Sequence, residues 1–349
     1  MNIKSLLIGS AAALAAVSGA HAADAIVAAE PEPLEYVRVC DAFGTGFFYI
    51  PGTETCLKFG GYIRFQTNFG RDSSGTSDWD SFTRAQFEVD TRTDTELGAL
   101  RGFIGFRGNA DSGSAFASST NPSNTGSGVF VDQAFIELGG LKVGKFYSWW
   151  DDDLNGETDI LSTNTLFNSI KYTYDAGSFQ AALSVDELEG QYGQFQYGAD
   201  NNVGIGGMIG GKFGAVTANL IASYDFDAEN VAIRGILFAD IGPGTFGLAG
   251  VWASGDNAYY AKSEWAVAVE YAIKATDRLT LTPGFEYLSK LDVNPVDGDF
   301  VGDRDAWTAG LTVDYKITEG LSTKITANYY DEDGADDQVT GFVRLQRTF

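Results

Sequence analysis

The sequence predicts an all-β fold, a transmembrane antiparallel β-barrel of sixteen strands with short turns at one rim and long loops at the other. Three observations predict it. A period of two recurs along the chain from residue 57 onward. The connections alternate between short glycine-containing turns and long acidic stretches. One strand face is apolar, while the other carries more charge than a dry core tolerates.

The N-terminus comes first. Lys4 is followed by the apolar run Leu6 to Val17 and by Ala20-His21-Ala22, an A-x-A cleavage pattern. Residues 1–22 read as a secretory signal peptide cut between Ala22 and Ala23; the competing reading is a buried core helix. Removing 1–22 takes away His21, the only histidine. A mature chain without histidine excludes Ser-His-Asp hydrolysis and most zinc chemistry, and no cofactor motif is present. The net charge of −24 argues against nucleic acid as a partner.

Residues 23–56 form a separate N-terminal segment on the periplasmic side. Its two cysteines, Cys40 and Cys56, suggest one disulfide in an exported chain; two free thiols are the alternative.

The barrel occupies 57–349. In its first segment Leu57, Phe59, Ile63 and Phe65 share one face, while Lys58, Tyr62, Arg64, Gln66 and Asn68 share the other. Sixteen such segments fall at 57–68, 81–93, 97–107, 129–138, 140–146, 168–175, 178–186, 201–211, 214–224, 230–240, 245–253, 263–273, 278–288, 305–315, 321–330 and 338–349. Short turns such as Gly139-Gly140 and Gly242-Pro243-Gly244 alternate with the long stretches 69–80, 108–128, 147–167, 187–200, 289–304 and 331–337. An even strand count puts both barrel ends on the short-turn side, the periplasm.

A soluble sandwich also alternates, but two details oppose it. Aromatics close the ends of the apolar face, as in Trp265/Tyr271 and Trp307/Tyr315, a spacing suited to interfacial girdles. The other face carries Arg64, Arg84, Glu88, Arg92, Arg101, Arg107, Lys171, Arg234, Glu264, Glu286, Lys324 and Arg344. So many charges need an aqueous lumen, and about sixteen strands make a barrel wide enough to hold one.

The chain resembles the alphaproteobacterial general porin family. The resemblance is carried by Glu35-Tyr36-Val37-Arg38-Val39-Cys40-Asp41, by Tyr49-Ile50-Pro51-Gly52-Thr53-Glu54-Thr55-Cys56-Leu57, and by Gly60-Gly61-Tyr62-Ile63-Arg64. Thr95-Glu96-Leu97-Gly98, the run Ala134 to Gly144, and the terminal Val343-Arg344-Leu345-Gln346-Arg347-Thr348-Phe349 add to it. The resemblance implies a homotrimer in the outer membrane, passive diffusion of small hydrophilic solutes and ions, and a third long loop folded into the lumen.

That loop is 147–167, with Asp151, Asp152, Asp153, Glu157 and Asp159. Folded inward, its carboxylates would face the basic wall of the first strands. In the sequence register Arg64, Arg84 and Arg101 lie near mid-height, and Lys58 and Arg107 nearer the ends. Opposed walls would set up a transverse field at a constriction. The plainer reading is a solvated acidic loop, with arginines paired to neighbours such as Glu88. The acidic excess predicts a modest cation preference, opposed by the lumen arginines.

Asp331 to Asp337 has oxygen ligands enough for Ca²⁺ but lacks the twelve-residue calcium-loop pattern, so a solvated loop, with lipopolysaccharide and lipid as neighbours, is expected. Two alternatives compete with a general porin. One is a substrate-specific channel, which for sugars calls for more lumen aromatics than Tyr62 and Phe103. The other is an adhesin or structural barrel with a closed lumen.

Overall fold

The computed structural model describes residues 37–70, 79–110, 128–196 and 201–349. The leader 1–22 with its Ala22–Ala23 junction, the N-terminal segment up to the Glu35-Tyr36 part of the first motif, and parts of the long stretches 69–80, 108–128 and 187–200 lie outside the described residues. The chain divides into the units Met1–Arg38 and Val39–Phe349, and the second carries the fold.

The barrel strands are β1 (Cys56–Phe69), β2 (Trp79–Thr95), β3 (Gly98–Ala110), β4 (Val129–Leu138), β5 (Leu141–Tyr147), β6 (Leu166–Asp175), β7 (Phe179–Glu187) and β8 (Val203–Phe213). They continue as β9 (Val216–Asp225), β10 (Asn230–Ile241), β11 (Gly244–Ala253), β12 (Trp265–Lys274), β13 (Leu279–Ser289), β14 (Ala306–Thr318), β15 (Leu321–Glu332) and β16 (Gln338–Thr348). Each pairs antiparallel with the next. β16 returns to β1 in the register Leu345↔Phe65, which closes the sheet and removes its edges. No strand end departs from its expected position by more than three residues. The stretch 289–304, expected as plain loop, contains a small hairpin of Asp292–Val293 with Phe300–Val301.

The burial pattern is the reverse of a soluble protein. On β1, Phe59, Ile63 and Phe65 point outward, about half exposed, while Gln66 and Asn68 are buried on the inside. Apolar side chains turned outward all round a closed sheet require a hydrocarbon solvent. Rings on neighbouring strands touch along the outer surface near the long-loop rim, Trp265 to Tyr287 at 5.4 Å and Trp307 to Tyr329 at 5.4 Å. Tyr172, Tyr174, Phe213 and Tyr315 are exposed toward the short-turn rim. These are the two interfacial girdles.

The lattice of close strands fixes some residues by backbone demand alone. Gly61 on β1 has φ +148°, and a Cβ there would stand 2.1 Å from the carbonyl oxygen of Gln86 on β2.

Ahead of β1, Cys40 and Cys56 form a disulfide that ties a short loop to the first barrel strand. The Cys40 N–H donates to the Phe47 carbonyl at 2.9 Å, and the strand Phe48–Tyr49 pairs with Leu57 and Cys56. Phe47 is thereby buried against Arg92 (5.0 Å from ring centre to guanidinium) and Lys58 (5.7 Å to the ammonium). Basic residues at this mouth serve as the seat of an aromatic side chain.

Candidate functional site

The site is built around residues 148–165, between β5 and β6, which hydrogen-bond to inward-facing side chains of the barrel wall. The Ser148 N–H donates to the Thr165 carbonyl at 2.7 Å and closes the neck of the segment. Ser148 Oγ then accepts from the Trp150 N–H and caps a 3₁₀ turn over Trp149–Asp151. Both tryptophans are buried, and Trp150 Nε1 donates to Ser223 of β9 at 3.0 Å.

From there the segment is tied to one inward-facing side chain after another. Arg234 of β10, wholly buried, donates to the carbonyls of Trp149 (2.5 Å), Trp150 (3.1 Å) and Leu161 (3.5 Å), and faces Asp153 at 3.7 Å. Its guanidinium also lies 5.2 Å from the Trp150 ring. Glu270 of β12 accepts from the N–H groups of Asn155 and Gly156, each at 2.6 Å. Glu286 of β13 accepts from the Ile160 N–H at 3.0 Å. Thr312 of β14 accepts from the Glu157 N–H at 2.9 Å, and Asn328 of β15 donates to the Glu157 carbonyl at 2.8 Å. Buried carboxylates facing unpaired backbone donors satisfy both partners without secondary structure.

A second loop, 254–264, rests on the first. The Thr163 N–H donates to the Tyr259 carbonyl at 2.9 Å, and the Tyr259 ring meets Trp150 and Phe167. The Tyr259 hydroxyl donates to Asp186 of β7 at 2.9 Å. Room for this packing comes from small inward residues: Ala232, Ala249, Ala253, Ala266 and Ala268 are all buried.

The carboxylates of the segment have diverse settings. Asp151 accepts from Thr165 at 2.9 Å. Glu157 pairs with Lys324 of β15 at 2.9 Å and lies 3.7 Å from Arg344 of β16. Burial raises Asp151 and Asp152 above the ordinary carboxylate range. It pushes Asp153 up to about 6 against the pull of Arg234. Asp159 is pushed up to about 7 by burial and then by the charge of Asp153, and its Oδ2 is buried without a hydrogen-bond partner.

The facing wall is basic. Arg64 donates to Gln346 (2.8 Å), Arg84 to Asn109 (2.9 Å) and Arg344 to Gln66 (2.6 Å). All three guanidiniums hydrogen-bond to neutral amide oxygens; Arg64 and Arg84 keep their charge uncompensated, whereas Arg344 also faces Glu157 at 3.7 Å. Arg107 pairs with Asp132 at 2.8 Å and donates to the Tyr147 hydroxyl at 3.0 Å, at the start of the segment.

Two details differ from the sequence register. Arg107 sits by the segment and Arg101 at the short-turn mouth, so their expected heights are exchanged. Arg101 is bound to Asp90 (3.0 Å) and Glu137 (3.4 Å) there, beside Lys58 and Arg92. The acidic residues meet Arg234, Lys324 and Arg344 in direct contact, not Arg64, Arg84 and Arg101. The lumen also holds more aromatic surface than Tyr62 and Phe103: Phe135 and Phe146 point inward, and Phe135 stacks on Phe103 at 5.0 Å. Among the described residues no group of acids has an arrangement to hold a metal ion.

A closed transmembrane barrel with a charged, polar interior defines an outer-membrane channel. The chain belongs to the porin subfamily, whose family model matches residues 24–345. It is 51% identical over 362 aligned positions to the outer membrane protein y4fJ of Sinorhizobium fredii, covering 100% of this chain and 99% of that protein. It is 35% identical over 343 positions to porin Omp2b of Brucella suis, covering 95% of this chain and 85% of that protein. The fold is shared with the trimer form of OmpT, an outer membrane protein of Vibrio cholerae: TM-score 0.61 and 17% identity over 85% of this chain and 100% of that one. The protein is an outer-membrane porin of a Gram-negative bacterium.

Proposed function

We propose that this porin is a general diffusion channel for small hydrophilic solutes and ions, narrowed by residues 147–167. The observation that carries the reading is charge placement. Arg64 and Arg84, bonded to amides, stand on β1 and β2. Glu157, paired with Lys324 and 3.7 Å from Arg344, and the Asp151–Asp153 run beside Arg234 stand on the segment. Acid on one side and uncompensated base on the other make a transverse field in the gap between them. Water and polar solutes align in such a field, and apolar solutes displace oriented water.

The acidic excess of the chain favours a modest cation preference, which the arginines oppose. The trimer form of the related fold supports a homotrimer for this chain, set in outer-membrane lipid and lipopolysaccharide. Residues 1–22 act as the export signal and leave Ala23 as the mature start.

Liposome swelling with neutral sugars of graded size, together with reversal potentials in asymmetric KCl, tests this reading. Entry of small sugars with a weakly cation-favouring potential is expected. An anion-favouring potential would contradict the charge argument, and absence of swelling would contradict the channel.

A further inference from the structure

Below the segment, toward the short turns, lies a group of cations that the diffusion reading leaves unused. Lys142 of β5 and Lys171 of β6 are direct cross-strand partners, both turned inward. Both ammonium groups crowd one ring, lying 4.5 and 5.1 Å from the centre of Phe146, and Lys142 also lies 3.8 Å from the centre of Phe135. Like charges placed directly opposite on adjacent strands destabilise a sheet. Elsewhere in this interior a carboxylate relieves such pairs: Asp90 sits between Arg92 and Arg101 at 3.0 Å from each. For the two lysines the neighbouring carboxylate is Glu137, the partner of Lys142 on β4, and it is paired with Arg101 at 3.4 Å. Among the described residues neither forms a hydrogen bond or an ion pair. Aromatic faces hold them in place without neutralising them.

Beside Lys171 the wall opens into a hollow of about 410 Å³. It exists because β8 presents Gly210 there, with no side chain to fill the space. Its rim is polar but mostly uncharged: Thr173, Gln180, Thr217 and Asn219, with Lys212 at the short-turn end. Gln180 is already engaged with Asp175 at 2.8 Å, while the Asn219 Oδ1 is buried without a partner. The lining is completed by Trp149, whose ring centre lies 5.2 Å from the Lys171 ammonium, and by Asp152, its one carboxylate.

We infer that this wall of the lumen is a binding site for small hydroxylated anions, the chemical class of sugar phosphates and sugar acids. Lys142 and Lys171 take the acid group, Lys212 adds attraction, and the hydroxyl and amide side chains of the hollow take the solute's hydroxyls. Asp152 opposes the anion and limits how tightly it is held, as passage requires. The inference rests on the channel reading, since the site is reached only through the lumen.

The test is partial block of potassium current through the purified porin in planar bilayers, with solute added on the short-turn side. Glucose 6-phosphate should give a saturating partial block. Inorganic phosphate, which has the charge but not the hydroxyls, should need a higher concentration, and glucose at the same concentration should give none. In Lys142→Gln/Lys171→Gln the half-blocking concentration of glucose 6-phosphate should rise by about tenfold, the loss of two solvent-screened contacts. In Asp152→Asn it should fall. Replacing the lysines removes a repulsion, so the variant should assemble as stable trimers, checked by heat-modifiable migration. Equal block of wild type and double variant, or equal potency of inorganic phosphate and glucose 6-phosphate, would overturn the site. Channels that glucose 6-phosphate leaves untouched would overturn the site alone, whereas a protein that opens no channel would overturn the porin reading beneath it.

Discussion

Arg234→Met is the most informative single change for the interior. Methionine keeps much of the unbranched stem against Trp150 but supplies no donor. The carbonyls of Trp149 and Trp150, now served at 2.5 and 3.1 Å, would be left buried and unpaired, and Asp153 would lose the cation 3.7 Å away. An orphaned buried acceptor costs about 1–3 kcal/mol, and loss of the pair with Asp153, whose side chain is 49% exposed, adds at most about 1 kcal/mol. Taking about 3–5 kcal/mol for the whole, the docked segment loses between about a hundredfold and several-thousandfold of its preference over a released one. The strands keep their backbone ladders, so the barrel should persist. The assay is single-channel conductance with liposome swelling, on protein whose trimers are verified by heat-modifiable migration. The variant should show a larger, noisier conductance and faster entry of larger sugars, and Arg234→Lys should restore part of the wild-type behaviour. Well-assembled trimers with unchanged conductance and unchanged size exclusion would refute the reasoning.

Other perturbations give outcomes of equal sharpness. Asp159 and Asp153 bind protons more tightly in the docked segment than the ordinary carboxylate value of about 4. Docking is therefore firmest at pH below that value and weakens as pH rises through about 6 to 7. Current noise should grow from pH 5 to pH 8, and Asp159→Asn should flatten the dependence; a noise level independent of pH in the wild type would count against it. Gly61→Val places a side chain against the Gln86 carbonyl, which a Cβ would approach to 2.1 Å, and should leave the chain unassembled on semi-native gels. Cys40→Ser/Cys56→Ser opens a loop closed over a separation of 16 residues, which should cost the N-terminal knot about 3 kcal/mol. Proteolysis around Phe47 should then speed up while the barrel still assembles.

The strands were legible because two solvents act on one chain. Lipid outside and charge inside impose alternation on every strand, so that Phe59 and Ile63 against Arg64 and Gln66 already mark which way β1 faces. Glycine turns fixed the ends. The partners of the acidic segment were not legible in the same way. Which wall a loop reaches depends on closure of the whole barrel, and nothing local to Asp151–Asp153 points to Arg234 on β10 or to Lys324 on β15. Glu286 read as a lumen charge of no special purpose, yet it holds the backbone of Ile160, as Glu270 holds that of Asn155 and Gly156. One signal was present. Several inward positions from β10 to β12 are alanine, Ala232, Ala249, Ala253, Ala266 and Ala268 among them, and small residues on the lumen face leave space that another segment fills. The heights of Arg101 and Arg107 follow from where β3 starts: Arg101 stands three residues from Gly98 at the short turn, whereas Arg107 pairs with Gln86 near the middle of β2. The lumen aromatics Phe135 and Phe146 were missed because their strands also carry outward apolar residues, which obscures alternation.

The claim on which the account turns is that residues 147–167 lie in the path of ions. Glu157→Cys, in a chain whose two native cysteines are already joined to each other, places a single thiol at the point where the segment meets Lys324. Conductance of single channels is recorded while a bulky, water-soluble thiol reagent is added, with labelling verified by mass spectrometry. Stepwise reduction of current, one step per labelled subunit, is the predicted result. Full labelling with unchanged conductance would contradict it.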